Sequence, residues 1–296
     1  RTKDTMNKLQ YTPRRIGVAF IFSASLLLAG HLSATSLATD GFDYTDGAGL
    51  SGLNGGSGWA GVWSNPGTDA VIAAPGLDYT SVDAAYTAFS STGNAVDASG
   101  APNNRRLLDT SASGTFDDAG LVGTGGDVGG SGVSSGSLYG SVLLSSPDFT
   151  AAGTRVLMEF GPTTSDPFRI QQNGGGANFE ITDLSNNNLG TGSLAVGGND
   201  LLLVWRIDFG GSGSDDITLW MSPTSEADSS ISLSSTRDIA FDRLTMRGVG
   251  SSNDYTYDEI RFGTSFNDVV PVPEPNVFAL MLSAIAAGVV FVRRRR

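Results

Sequence analysis

Trp59 and Trp63 stand in "GWAGVW", hedged by glycines, and tryptophan rings held on a loop or strand edge can stack on sugar rings. Core packing is the competing reading for any tryptophan. It is the expected one for Trp205 and Trp220, which sit in the strongly apolar runs "LLLVWRIDF" and "DITLWM". Acids form the second set of chemical groups. Asp254 and Asp258 are weak candidates for a calcium site, because a hard cation takes carboxylate and carbonyl oxygens. The pairs Asp117-Asp118, Asp215-Asp216 and Asp258-Glu259 read otherwise as solvated loop charges. "GGSGSDDIT" at 210–218 fits the calcium-binding nonapeptide pattern, but that pattern works only as stacked repeats and stands here once, so a hairpin loop is expected. A glucanase would place acids at alternate positions of one strand as nucleophile and acid. The nearest match, "EADSSI" from Glu226 to Ile231, ends in isoleucine and lies in a polar stretch.

The chain has 296 residues, 40 glycines, no cysteine and one histidine, His31. Without cysteine there is no disulfide framework and no thiolate metal site. His31 falls in a segment expected to be removed, and a chain without imidazole has no Ser-His-Asp triad, His-ligated zinc or histidine base. Charge is unevenly placed. Residues 39–270 hold 28 acids against 9 arginines and no lysine, a net of −19. Such a body repels phosphate backbones, which excludes nucleic acid as a partner. No cofactor is expected, calcium being the one ion the acids would suit.

Both ends are basic and apolar. Lys8, Arg14 and Arg15 precede the apolar run Ile16 to Gly30, and "SLA" at Ser36–Ala38 offers small residues before a cleavage point. This is the pattern of a secretory leader, expected over residues 1–38 and handled by the Sec translocon and signal peptidase. At the other end Val277 to Val292 is apolar or small throughout, and as a helix it spans about 24 Å, slightly less than the ~30 Å hydrocarbon core. Snorkelling of Arg293, Arg294, Arg295 and Arg296 covers the deficit and holds that end cytoplasmic.

The order Pro273-Glu274-Pro275, short apolar helix, Arg293–Arg296 resembles the PEP-CTERM sorting signal of Gram-negative bacteria. The resemblance covers about 25 residues, 271–296, and implies recognition by an exosortase, a membrane protease-transpeptidase. The tail would anchor the protein transiently in the inner membrane and be cut near the Pro-Glu-Pro triplet. The body would then pass to the cell surface or extracellular matrix, a route associated with exopolysaccharide.

The body, 39–270, shows short β-branched or aromatic runs between Gly, Ser, Asn and Asp clusters. "AVIAA", "SLYGSVLL", "RVLMEFG", "FRIQQ", "NFEITDL", "LLLVWRIDF", "DITLWM", "IAFDRLTMRG" and "YTYDEIRFG" are expected strands. In "RVLMEF", Val156, Met158 and Phe160 share one face and Arg155 and Glu159 the other. "LLLVWRIDF" is apolar on both faces, as a strand covered on each side would be. These strands predict an all-β fold, an antiparallel two-sheet sandwich, with 110–136 as a long loop holding at most one strand. The opening "DGFDYTDGAGLSGLNGGSGWAGVWS", "RRLLD", the "LLLVWRIDFGGSGSDDITLWMSPTSEAD" hairpin and the close "YTYDEIRFGTSFNDVVP" are similar to ectodomains found ahead of such tails. That likeness implies a concanavalin A-like, laminin-G-like jelly roll, and no activity.

The expected protein is therefore a non-enzymatic, exported β-sandwich with a structural or interaction role near exopolysaccharide. A lectin-like carbohydrate-binding module, calcium-assisted or not, is the alternative, and a glycoside-active enzyme a distant third. Replacing Pro273-Glu274-Pro275 with alanines should leave the protein membrane-retained in cell fractions. Normal processing and release of that variant would remove the sorting expectation.

Overall fold

The computed structural model describes residues 36–271 apart from 92, 148, 150–154, 162–167, 174–177, 184–187, 192–199, 212–213, 235–237 and 249–254. The sorting triplet, the arginine cluster and residues 1–35 of the expected leader lie outside the described residues. Along the chain come β1 (Ser36–Asp40), β2 (Val71–Ala73), α1 (Tyr79–Val82), β3 (Ala95–Asp97), β4 (Asn103–Leu107), α2 (Thr115–Asp118) and β5 (Val128–Gly129). Then follow β6 (Ser137–Ser145), β7 (Arg155–Gly161), β8 (Phe168–Asn173), β9 (Asn178–Asp183), β10 (Asn188–Thr191) and β11 (Asp200–Asp208). The last elements are β12 (Asp216–Met221), β13 (Ser230–Ser234), β14 (Ala240–Phe241), β15 (Arg243–Arg247), β16 (Thr256–Gly263) and α3 (Phe266–Val269).

The fold is an antiparallel β-sandwich. An eight-stranded sheet runs β13-β12-β11-β6-β16-β3-β2 with β1 also paired to β16, and a six-stranded sheet runs β10-β9-β8-β7-β15-β4. Each expected run forms a strand, "IAFDRLTMRG" being divided at Asp242 into β14 and β15. The 110–136 stretch carries the one-turn α2, which buries Phe116, and the two-residue β5.

Alternation along β11 builds two cores. Leu201, Leu203, Trp205 and Ile207 join the cluster between the sheets, while Leu202 and Val204 join a second cluster on the outward side of the eight-stranded sheet. Trp205 lies opposite Gly140, where an added Cβ would sit 2.2 Å from the indole, so only glycine admits the ring. Trp220 is buried as expected, in the outward cluster rather than between the sheets. That cluster is roofed by a strap, residues 76–89, and by the segment from α3 to Pro271. Tyr86 donates its hydroxyl to Pro223 O at 2.8 Å, Ala88 N–H donates to Pro271 O at 3.0 Å, and Ser141 Oγ donates to Val269 O at 2.8 Å.

At one end of the sandwich, Asp40 and Arg106 form an ion pair between the two sheets, both side chains 1% exposed. β1 pairs with β16 and β4 with β15, so Asp40 faces inward from one sheet and Arg106 from the other. β1 begins at Ser36, with Leu37 and Ala38 buried. The leader boundary expected at Ala38 thus falls inside a core strand, because the small residues that suit a cleavage point also suit tight packing against Phe262.

Breaking the ion pair from one side leaves an uncompensated buried charge. Arg106→Ala should lower unfolding free energy by about 3–5 kcal/mol in urea melts. Adding Asp40→Ala should recover part of that loss. Strict additivity of the two substitutions would show that they act independently.

Candidate binding face

On the six-stranded sheet, Met158, Phe160, Phe168, Ile170, Ile181, Leu244 and Met246 fill the core, so the intervening residues point outward. Strand register brings five of these into one row across the strands. Arg105 on β4 pairs with Thr245 on β15, Thr245 with Glu159 on β7, Glu159 with Arg169 on β8, and Arg169 with Thr182 on β9. Beside it Arg247, Gln171 and Glu180 project from β15, β8 and β9 on the same face.

Glu159 sits between two cations: Arg169 Nε donates to its Oε2 at 3.1 Å and Arg247 Nη1 at 2.7 Å. Gln171 Nε2 donates to Glu180 Oε1 at 2.6 Å, which fixes the amide with its carbonyl turned the other way. Among the described residues Thr182 Oγ1 and Gln171 Oε1 make no hydrogen bond, although the residues are only 1% and 2% exposed. A buried polar atom without a partner costs about 1–3 kcal/mol. Guanidinium forks, carboxylates, an amide and hydroxyls on one face form a donor and acceptor set suited to a polyhydroxylated ligand. The alternation of "RVLMEF" already turned Glu159 outward. What sequence did not show is the register, which alone turns scattered polar residues from five strands into a row.

The residues singled out in the sequence lie elsewhere. Trp63 is fully buried and donates its indole N–H to Asp40 Oδ2 at 2.8 Å, so it cannot stack on a sugar, and that expectation is corrected. Trp59 is half-buried, with its N–H donated to Thr39 O at 2.9 Å and the Arg106 guanidinium 5.0 Å from its ring centroid. Both indoles form the wall of the Asp40–Arg106 pair. Asp215 of the "GGSGSDDIT" loop accepts from Gly210 N at 2.9 Å and Ile239 N at 2.6 Å, closing the β11–β12 hairpin as expected. Glu226 accepts from the Tyr139 hydroxyl at 2.7 Å.

Asp258 is buried in β16 as a pin for the strap: Oδ2 accepts from Leu77 N and Oδ1 from Glu259 N, each at 2.8 Å. It is not one of the solvated loop charges expected. Asp254, its suggested calcium partner, lies outside the described residues, and among the described residues no three acidic or imidazole side chains converge as a metal site requires. Next to it Glu259 adopts a left-handed φ of +50° at a bulge and pairs with Arg261 at 2.9 Å. Burial pushes the Asp258 carboxyl up to about 8, with Glu259 and Asp40 adding to the shift and the two N–H donors opposing it.

No protein-family model matches the chain, and no curated protein does. Solved structures of similar fold include domain 4 of AbnA, an extracellular arabinanase from Geobacillus stearothermophilus, in complex with arabinotriose. It is 12% identical, with 78% of this chain and 93% of that one covered and a TM-score of 0.44. The T. cruzi calreticulin globular domain is 7% identical over 79% and 90% of the two chains, with a TM-score of 0.42. The ligand-binding domain of botulinum neurotoxin serotype D, in complex with N-acetylneuraminic acid, is 9% identical. There 79% of this chain and 49% of that one are covered, with a TM-score of 0.40.

A carboxyl titrating higher in the folded chain than in the unfolded one stabilises most below the unfolded value, about 4, and loses that contribution as pH rises towards about 8. Denaturant melts of the wild type and Asp258→Asn at pH 5 and pH 8 read this directly. The variant should gain relative to wild type at pH 8. A stability difference that does not move with pH would mean that Asp258 is ionised throughout.

Proposed function

We propose that the chain is an exported β-sandwich, sorted to the cell surface by an exosortase, that binds extracellular polysaccharide across the outward face of its six-stranded sheet and carries out no chemistry. Export and sorting rest on the leader pattern, the Pro273-Glu274-Pro275 triplet, the apolar run and Arg293–Arg296. Binding rests on one observation: a polar row spans five strands, and two buried polar atoms on that face, Gln171 Oε1 and Thr182 Oγ1, have no partner.

The tryptophans do not support the lectin reading in its first form, because their rings are engaged with Asp40 and Arg106. The acidic loops do not support calcium assistance, since Asp215 and Asp258 are committed to backbone N–H groups. What supports polysaccharide binding is a face without aromatic rings among its described residues, where recognition comes from hydrogen bonds and charge. Such binding should be modest per residue and gain from many contacts along a polymer.

The protein recovered from its own cells should retain polysaccharide of its own matrix with saturable affinity, unaffected by chelator. Gln171→Leu with Thr182→Val should weaken retention by about tenfold, if each lost contact is worth roughly 1 kcal/mol. Unchanged retention in the doubly substituted protein would move the site off this face, and failure of the wild type to bind would favour a purely structural coat.

A further inference from the structure

Resting only on the export part of the reading above, we infer that the leader is cut between Ala34 and Thr35. The amino terminus so made settles in a cleft beside β1, against Asp118. The two candidate cuts differ in what they leave behind. A cut after Ala38 removes Ser36, Leu37 and Ala38, the opening residues of β1. Ser36 and Ala38 pair with Gly263 and Phe262 of β16, and Leu37 and Ala38 are 4% and 0% exposed. Thr115 Oγ1 donates to Leu37 O at 2.6 Å, which ties α2 to the same residues. Gly58 closes on them from another side: its φ is +76°, and a Cβ there would lie 2.8 Å from Ala38 Cβ. A body beginning at Thr39 would lose all of these contacts, together with the strand residue paired to the buried Phe262.

Upstream of β1 the choice is narrow. A leader is cut after a small residue shortly beyond its apolar run. That run ends at Gly30, and Ala34 is the last alanine or glycine before β1. "SLA" fits the A-x-A-like pattern at both of its small positions, whereas "LSA" fits at one and has Leu32 at the other. Pattern alone therefore favours Ala38, and the burial of Leu37 and Ala38 reverses the order. Water hydrolyses the Ala34–Thr35 amide, its oxygen going to the Ala34 carboxyl. The leaving nitrogen becomes the α-amino group of Thr35, which is largely protonated at pH 7.

Ser36 lines a cleft of about 550 Å³ together with Leu37, Thr115, Asp118, Ala119 and Thr264. Asp118 is the ionisable side chain of that set. It is exposed, and among the described residues it makes no ion pair and no side-chain hydrogen bond. The neighbouring carboxylates are turned to backbone: Asp117 accepts from Ser113 N at 3.0 Å, and Asp268 from Thr264 N at 2.9 Å. Thr35 precedes Ser36 directly, about 3.8 Å away between Cα atoms, so its ammonium enters the cleft that holds Asp118. No other ammonium competes for the place. The only lysines, Lys3 and Lys8, leave with the leader, so the α-amino group is the single primary amine of the mature chain.

That single amine makes the test direct. Protein recovered from outside its own cells and treated with an amine-acylating reagent should take one label per molecule. The labelled peptide should begin at Thr35. Ala34→Phe should keep its leader, with Lys8 labelled as well. At pH 7 and low salt, Asp118→Asn should be acylated about two- to fivefold faster than the wild type, as loss of an exposed ion pair implies. Added salt should narrow that difference. A labelled peptide beginning at Thr39, or normal processing of Ala34→Phe, would overturn the cut while leaving export intact. Equal acylation rates in wild type and Asp118→Asn would overturn the seat against Asp118. Lys8 retained on the recovered wild type would overturn the cleaved-leader reading on which the inference rests.

Discussion

One carboxylate organises the end of the sandwich where the chain enters it. Asp40 accepts hydrogen bonds from Phe42 N at 3.0 Å, the Tyr44 hydroxyl at 2.9 Å, the Trp63 indole at 2.8 Å and the Arg106 guanidinium. A charge buried this deeply is tolerable only when its lone pairs are filled and a counter-charge is close. The four donors fix three pieces of chain: Phe42 and Tyr44 the turn after β1, Trp63 the irregular 53–64 segment, and Arg106 β4 of the other sheet. Arg106 extends the arrangement by donating Nε to Gly61 O at 2.8 Å and Nη2 to Asn54 Oδ1 at 2.7 Å. A glycine-rich stretch with almost no regular structure is thereby ordered from one interior point.

The two outward faces are finished differently because different things cover them. On the eight-stranded sheet, alternate residues Leu143, Leu202 and Val204 are apolar and need a roof, which the strap and the α3 segment provide with Tyr79, Tyr86, Phe266 and Val269. Asp258 holds the start of that strap and Pro271 its end. On the six-stranded sheet the corresponding positions are Glu, Arg, Gln and Thr, and their satisfaction is partial. Both outward faces are thus largely withdrawn from solvent, one by apolar contacts and the other with Gln171, Glu180, Thr182 and Thr245 buried.

Strands with ordinary alternation were legible: "FRIQQ" and "LLLVWRIDF" declare both their conformation and the side they bury, whereas "RVLMEF" bulges between Val156 and Met158 and buries Leu157 as well as Met158. β4 was not, because "NNRRL" turns Asn104 and Arg106 inward, the reverse of what polarity predicts, and only the Asp40 carboxylate explains it. For Trp63 the sequence left packing and sugar stacking both open, because its glycine neighbours could mean exposure; they serve close approach instead, since a Cβ on Gly58 would lie 1.9 Å from Leu37 O. Asp258 was misread for a related reason. An acid beside another acid in a polar sequence suggests solvent or a cation, while here both oxygens cap backbone N–H groups in a protein interior. The polar row was beyond sequence because it depends on five strands from three stretches of chain arriving in register.

The placement of the C-terminal segment bears on the proposed sorting route. Val269 O and Pro271 O are bonded to β6 and to the strap, so the last described residues are fixed on the outward side of the eight-stranded sheet. In sequence only Val272 separates Pro271 from the Pro273-Glu274-Pro275 triplet. A chain held by that tail would therefore be held from the strap side, with the two sheets, about 10 Å apart, between its attachment and the polar row. The residues that close the apolar outer layer are thus the same ones that fix the last described residues, Val269 to Pro271.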